Sequence, residues 1–82
     1  MKLPRDLGGN DLIKLLRPHG YEVVRQTGSH IRLVSHARGS EHHVTIPAHK
    51  NLSIGTLNGI LTDVAAYLQM SRSGLQKELF GN

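Results

Sequence analysis

The sequence predicts an α+β domain with two layers, in which a three-stranded antiparallel sheet carries helices on one face. Three observations predict this class. Leucines recur at helical spacing near the N-terminus, strands of period two separated by turns fill the middle, and helical spacing returns after Ser53. The chain has 82 residues, which is enough for a single domain over residues 1–82 with one modest core.

The first helix is expected after an N-terminal arm of residues 1–9, which contains one proline and two glycines. Asn10 stands where an N-cap residue is expected, because its side chain can accept a hydrogen bond from the first turn. The apolar face of this helix then comprises Leu12, Leu15 and Leu16. Pro18 and Gly20 end the helix near Arg17, since proline removes a backbone donor and glycine favours a helix end.

β-Branched and aromatic residues, together with short turns, predict a meander of three strands in the middle of the chain. The expected elements are a strand over 21–26, a turn over 27–29, a strand over 29–35, a polar loop over 36–41 and a strand over 42–46 that Pro47 closes. Alternation along the second strand places Ile31 and Leu33 on the core face. His30 and Arg32 then lie on the opposite face, which is open to solvent or to a partner.

Two helices are expected in the last third of the chain. Ser53 is a favourable N-cap for the first of them. Its apolar residues follow at helical spacing and are Leu57, Ile60, Leu61, Val64 and Leu68. Gly55 and Gly59 each weaken this helix by about 1 kcal/mol relative to alanine, unless close packing requires one of them. A short C-terminal helix is expected over 71–80, and Gly81 ends it.

The charge balance favours a polyanionic partner. Lysine and arginine together number 10 and aspartate and glutamate 6, which gives a formal charge of +4 with the 6 histidines neutral. Such an excess suits nucleic acid or an acidic protein, although a merely soluble basic surface has the same composition. The absence of cysteine excludes disulfides and thiolate metal sites. No apolar run is long enough to span a membrane and no signal-peptide core is present, so we expect a cytoplasmic protein.

His30 is the first candidate for chemistry, because it follows a Gly-Ser turn and opens the middle strand on the open face. Arg25 and Arg32 flank it in the expected arrangement. An exposed imidazole can exchange a proton near neutral pH, and neighbouring cations can hold a phosphate and stabilise developing negative charge. The pattern therefore suits acid–base work on a phosphodiester. The alternative is a solvated strand histidine without a function.

Other kinds of site have weaker support. Ser29 and His30 are neighbours whose side chains diverge on a strand, so they do not build a catalytic triad. His42 and His43 point to opposite faces of a strand, and no H-E-x-x-H motif or Gly-rich phosphate loop occurs. We therefore expect no metal and no cofactor. In the loop after the third strand, the cation of Lys50 can touch a phosphate backbone, or the loop is an ordinary polar connection.

Several motifs resemble the HicA family of type II toxins. The segments that carry the resemblance are Leu3-Pro4-Arg5, the run DLIKLL over 11–16, the run GYEVVRQTGSH over 20–30, Val44-Thr45-Ile46-Pro47 with His49, and Gly55-Thr56-Leu57 with Ile60-Leu61. Together they cover roughly residues 3 to 68. The chain departs from the family pattern at Asn58 and Thr62, where members often carry basic residues, and at Pro18 and His19, which interrupt the end of the first helix.

The resemblance implies a fold similar to double-stranded-RNA-binding domains. It also implies the activity of an mRNA interferase, which cleaves messenger RNA and inhibits translation and growth. A HicB-type antitoxin is implied as the protein partner, bound over the active site. The catalytic histidine of the family corresponds to His30 in this sequence.

We expect RNA contacts from Arg25, Ser29, Arg32, His49 and Lys50. A metal ion is not required, because RNA supplies its own nucleophile in the 2′-hydroxyl group. A non-catalytic RNA-binding domain of the same fold is one alternative. A protein whose basic face serves only a protein partner is another.

Overall fold

A computed structural model describes residues 3–81 of the chain. Residues 1 and 2 of the predicted N-terminal arm, and residue 82, lie outside the described residues. The elements are α1 (Gly9–Leu16), a 3₁₀ helix (Arg17–His19), β1 (Tyr21–Thr27), β2 (His30–Ser35), β3 (His42–Pro47), α2 (Ile54–Leu68) and α3 (Arg72–Phe80). This order confirms the predicted α-β-β-β-α arrangement and its short C-terminal helix.

The three strands form one antiparallel sheet in the order β1-β2-β3, so β1 and β3 are its edges. At one end of the sheet, His30 lies opposite Thr27 on β1 and opposite Pro47 on β3. The predicted α+β class with an open antiparallel sheet is therefore confirmed. The topology is compatible with a fold like that of double-stranded-RNA-binding domains, which stays a prediction.

The helices cover one face of the sheet and enclose a cluster of buried apolar side chains. The sheet contributes Tyr21, Ile31, Leu33, Val44 and Ile46. The helices contribute Leu12, Ile13, Leu16, Leu57, Ile60, Leu61, Val64, Ala65, Leu75 and Leu79. Ile13, rather than the predicted Leu15, completes the buried face of α1, and Leu15 is only partly buried. The other sheet face, called the open face below, has none of the described helices packed on it.

Helix α1 begins earlier than predicted, because Gly8 and not Asn10 is its N-cap residue. The Gly8 N–H donates to the Asp11 carboxylate at 2.9 Å, so the acidic side chain stabilises the first turn. A Cβ atom on Gly9 would collide with the carbonyl oxygen of Pro47. Glycine therefore allows the start of α1 to lie against the loop after β3. This is a tertiary contact, so it cannot be predicted from the residues near the helix end alone.

The starts of the other two helices agree with the sequence. The Ser53 hydroxyl accepts a hydrogen bond from the Thr56 N–H at 3.2 Å at the start of α2. The Ser71 hydroxyl likewise accepts from the Gly74 N–H at 2.9 Å at the start of α3. Each cap satisfies one backbone donor that the helix leaves free. Gly81 ends α3 in the left-handed conformation, as expected.

The two glycines of α2 are not explained by packing. Both are exposed, and apart from adjacent residues and the backbone of α2 itself, no atom of residues 3–81 lies within 4 Å of a Cβ built at Gly55 or at Gly59. Neither position is a close approach of backbones. An alanine side chain therefore fits at both positions.

Helix α3 is attached to α2 through Arg72. Its guanidinium group donates to the side-chain oxygen of Asn58 and to the hydroxyl of Thr62, each at 2.7 Å, and to Gln76 at 3.1 Å. Asn58 and Thr62 are the positions at which the resemblance implies basic residues. The guanidinium of Arg72 thus supplies a positive charge to a helix surface that lacks basic side chains of its own there.

Candidate functional site

The open face owes its composition to a β-bulge in β1. The register shifts between Val23 and Arg25, so Val24 is the extra residue. Val23 pairs with Leu33, which is buried on the core face. Without the bulge, alternation would also turn Arg25 towards the core face. The bulge instead brings Arg25, and Thr27 after it, to the open face.

Two rows of side chains therefore cross the open face at one end of the sheet. The first row is Thr27, His30 and Pro47, and the second is Arg25, Arg32 and Thr45. The rows are about 7 Å apart along the strands, the length of two residues. A shallow concavity of about 320 Å³, called the His30 concavity below, is lined by Arg25, Thr27, His30, Arg32 and Thr45. One imidazole and two guanidinium groups thus share a solvent-exposed surface.

The turn before β2 fixes the position of His30. Gly28 has a φ of 58°, a conformation that glycine adopts without strain. The side-chain amide of Gln26 donates to the Gly28 carbonyl at 3.2 Å. On the other side, the Ala48 N–H donates to the Ser29 carbonyl at 2.6 Å. Hydrogen bonds from both flanking segments therefore hold the turn from which His30 begins the strand.

The remaining predicted RNA contacts lie beside the His30 concavity rather than in it. Ser29, His49 and Lys50 are exposed and are not among its lining residues. Ser29 directly precedes His30, and the bond from Ala48 to the turn brings the loop with His49 and Lys50 to the same end of the sheet. Contact of these three residues with RNA stays a prediction.

Thr27 and Thr45 are lining residues that the sequence did not single out. Thr27 lies directly opposite His30, and Thr45 lies directly opposite Arg32. Each hydroxyl group can donate and accept a hydrogen bond. The signal that identifies them is the strand register, which the sequence pattern alone did not supply.

Positively and negatively charged side chains lie in different rows of the open face. Arg25 and Arg32 lie directly opposite each other, and both ion pairs found within residues 3–81 involve Glu41 instead. The row beyond them is Glu22, Val34 and His43. His43 Nε2 lies 3.2 Å from the Glu41 carboxylate. Positive charge is thus concentrated beside His30, and an anion is drawn to that end of the sheet.

A second histidine, His42, lies at the far end of the sheet in an aromatic cluster. Its Nδ1 atom is 2.7 Å from the Tyr21 hydroxyl, and its ring stacks on Tyr67 with centroids 4.7 Å apart. Burial raises the pKa of Tyr21 above its ordinary value, and Tyr67 and Asp63 raise it further. Tyr21 therefore stays protonated and donates to the His42 ring. These contacts give His42 a role in packing and leave His30 as the histidine of the concavity.

Over residues 3–81, no group of three or more histidine, cysteine, aspartate or glutamate side chains is arranged to hold a metal ion. Among the helices described, none combines the length and the apolar character needed to cross a membrane.

Comparison with protein families gives a match over most of the fold. The model described as HicA toxin of bacterial toxin–antitoxin matches residues 9–65, which is more than half of the 82-residue chain. The matched segment contains α1, the whole sheet and most of α2, and with them the five residues that line the His30 concavity. It ends before α3. No curated protein and no solved structure gives a significant match.

Proposed function

Because the chain belongs to the HicA toxin family of bacterial toxin–antitoxin systems, we propose that it is an mRNA interferase. In this proposal the toxin binds messenger RNA on the open face of the sheet, cleaves it without a metal ion, and so inhibits translation and growth. The observation that supports the proposal best is the His30 concavity, in which His30, Arg25 and Arg32 face solvent together.

The two arginines bind the backbone of the substrate. Arg25 and Arg32 are directly opposed on neighbouring strands, so a phosphate between them offsets their mutual repulsion. Contacts of this kind give affinity with little sequence choice. Ser29, His49 and Lys50, at the same end of the sheet, extend the contact to neighbouring nucleotides.

The reaction uses a nucleophile that belongs to the RNA. The 2′-oxygen attacks the adjacent phosphorus atom, the bond from phosphorus to the 5′-oxygen breaks, and the products carry a 2′,3′-cyclic phosphate and a 5′-hydroxyl group. His30 accepts the proton of the 2′-hydroxyl or donates a proton to the departing 5′-oxygen, and solvent water takes part in the other proton transfer. The guanidinium groups of Arg25 and Arg32 stabilise the negative charge that develops on the phosphate.

Induced expression in bacterial cells tests this function. The wild-type protein is expected to stop growth and to degrade total mRNA, whereas His30→Ala is expected to do neither at the same protein level. His36→Ala removes another exposed imidazole, from the loop between β2 and β3, and serves as the matched control. It is expected to behave like the wild type. Equal mRNA degradation by His30→Ala and the wild type would overturn the role of His30.

A non-catalytic RNA-binding domain is the second candidate. The observation that favours it is that His30 is the one imidazole among the lining residues of the concavity, so a second group for proton transfer is not provided there. A pure binder would retain RNA affinity, leave RNA intact, and change little on His30→Ala. Measured RNA cleavage by the purified wild-type protein would exclude it.

We also propose a HicB-type antitoxin as the protein partner, bound over the His30 concavity. Family membership and the exposure of the concavity support this partner. A rival view assigns the basic face to the protein partner alone. RNA binding that weakens steeply with rising salt concentration supports phosphate contacts and contradicts that view.

A further inference from the structure

Large apolar side chains are exposed at one edge of the sheet. Val23 and Val24 are consecutive residues of β1 and are 46% and 54% exposed. Ile54, at the start of α2, is 46% exposed and has no such neighbour among the large exposed apolar residues. Val23 pairs with the buried Leu33 and so lies at the margin of the core face, whereas Val24 is the extra residue of the bulge. The exposed side chain of Val23 is therefore the apolar contact that this edge offers on its core side.

A groove runs between this edge and α1. It consists of two adjoining concavities of about 510 Å³ and 360 Å³, which share Arg17 and Val23 as lining residues. We call it the β1-edge groove. Its apolar floor is made by Ile13, Val23 and Ile31, and Lys14 lies at its rim. The groove shares no lining residue with the His30 concavity.

The groove is positively charged where it borders α1 and the 3₁₀ helix that follows it. Lys14 and Arg17 are exposed, and neither takes part in the ion pairs found within the described ranges, which both involve Glu41. Glu22 lines the groove at its other end. Carboxylates of a bound segment are therefore expected near Lys14 and Arg17, and uncharged or basic residues near Glu22.

The backbone of β1 is also available to a partner. β1 is an edge strand that pairs with β2 on one side. Apart from that pairing, its backbone makes no backbone hydrogen bond to the described part of the chain. An edge strand presents alternating N–H and C=O groups, which an extended peptide can pair with. An RNA strand does not present such groups in that spacing, so the edge suits a peptide better than a nucleic acid.

From these observations we propose that the β1-edge groove binds an extended, acidic segment of a partner protein, whose apolar side chains pack on Val23 and whose carboxylates pair with Lys14 and Arg17. A second copy of this chain fits less well, because its Lys14 and Arg17 would be repelled by Lys14 and Arg17 of the first copy. The proposal deepens the proposed function in one respect, since it places the anchor of the antitoxin at the sheet edge, next to the His30 concavity.

Peptide selection tests the groove without RNA. Random peptides of about 10 residues, long enough to form a strand, are selected for binding to the purified wild-type protein. The selected peptides are then titrated against Arg17→Glu and Val23→Thr. Ile54→Thr is the matched control, because Ile54 is as exposed as Val23 and lies outside the groove. Heat denaturation of each variant verifies that it is folded.

The expected result is enrichment of peptides in which aspartate or glutamate alternates with apolar residues. Their affinity is expected to fall about tenfold or more on Arg17→Glu and on Val23→Thr, and to be unchanged on Ile54→Thr. RNA cleavage is measured separately on the same variants and is expected to be retained. Loss of peptide binding can therefore be distinguished from loss of the proposed nuclease activity.

Several results would overturn the proposal. They are the absence of any binding peptide, enrichment of basic peptides, and equal binding to all variants. Displacement of the peptides by a single-stranded RNA oligonucleotide, lost on Arg17→Glu, would assign the groove to nucleic acid. Dimerisation of the wild-type protein that Val23→Thr abolishes would assign the groove to a second copy.

Discussion

Arg25 on β1 lies directly opposite Arg32 on β2, on the open face of the sheet. Like charges in directly opposed positions destabilise an antiparallel sheet. No carboxylate within the described part of the chain forms an ion pair with either residue, since both pairs found there involve Glu41. The arrangement is expected to cost stability in the free protein, and we propose that an anion bound between the two guanidinium groups offsets this cost.

Removal of one charge of this pair should raise the stability of the protein but weaken its binding to RNA. Arg25→Gln is expected to raise the free energy of unfolding by about 0.2–1 kcal/mol, because it removes the repulsion with Arg32. The same variant should bind RNA more weakly, and the slope of log affinity against log salt concentration should become smaller by about one. Urea denaturation and RNA titration at several salt concentrations measure the two effects. A less stable variant with unchanged RNA affinity would contradict the explanation.

The hydroxyl group of Thr45 is expected to contribute to RNA binding or cleavage. Thr45 lies opposite Arg32 and lines the His30 concavity. Thr45→Val keeps the shape and the strand preference of the side chain but removes its hydrogen bonds. The value of kcat/KM for RNA cleavage should fall about two- to tenfold, the range that one hydrogen bond accounts for. Thr56→Val on α2 is a control outside the concavity, and an equal loss in both variants would argue against a specific contact.

Alanine at the exposed glycines of α2 should stabilise the protein. Gly59→Ala is expected to raise the free energy of unfolding by about 1 kcal/mol, because no atom obstructs the added Cβ and alanine favours the helix. In a domain of this size that change raises Tm by about 4–8 °C. Gly55 lies in the first turn of α2, so Gly55→Ala should have a smaller effect. Differential scanning calorimetry measures both.

Gly9→Ala is the contrasting control, since its Cβ would collide with the Pro47 carbonyl. It should lower Tm. A lower Tm for Gly59→Ala would contradict the open space found around Gly59.

The buried hydroxyl of Tyr21 is expected to lower the stability of the folded protein at alkaline pH. Burial raises the pKa of Tyr21 in the folded state, while the unfolded chain has the ordinary value of about 10. Above that pH the unfolded state binds fewer protons than the folded state, so the free energy of unfolding decreases as pH rises. Below it, the contribution is fully present.

Tyr21→Phe should flatten this alkaline decrease. The variant also loses the hydrogen bond to His42 Nδ1, so at neutral pH it should be less stable by about 0.5–1.5 kcal/mol. Urea denaturation at several pH values between neutrality and strong alkali measures both changes. An alkaline slope that is the same in Tyr21→Phe and in the wild type would show that another group causes it.

Much of the fold follows from local patterns in the sequence. The caps at Ser53 and Ser71, the apolar spacing of α2 and the turn before His30 all act within a few residues, so the sequence predicts them correctly. The predicted start of α1 at Asn10 is wrong. The actual start depends on contact between Gly9 and the loop after β3, and these two segments are far apart in the chain.

The candidate site was predicted in part. His30 and Arg32 follow from simple alternation along β2. The open-face position of Arg25 depends on the bulge at Val24, and no glycine or proline in β1 marks that bulge. Thr45 belongs to the concavity through its pairing with Arg32, and a strand register between distant segments is set by tertiary packing.

Analysis of the RNA ends produced by the purified protein tests the proposed chemistry most directly. A short RNA is incubated with the wild type and with His30→Ala, with and without a chelator, and a matched RNA carries 2′-deoxyribose at the cleaved position. We expect the wild type to produce 2′,3′-cyclic phosphate or 3′-phosphate ends both with and without the chelator. We expect no cleavage at the deoxy-substituted position, and no cleavage of either RNA by His30→Ala. Ends with a 3′-hydroxyl group, or equal cleavage by His30→Ala, would contradict a histidine-dependent attack by the 2′-hydroxyl.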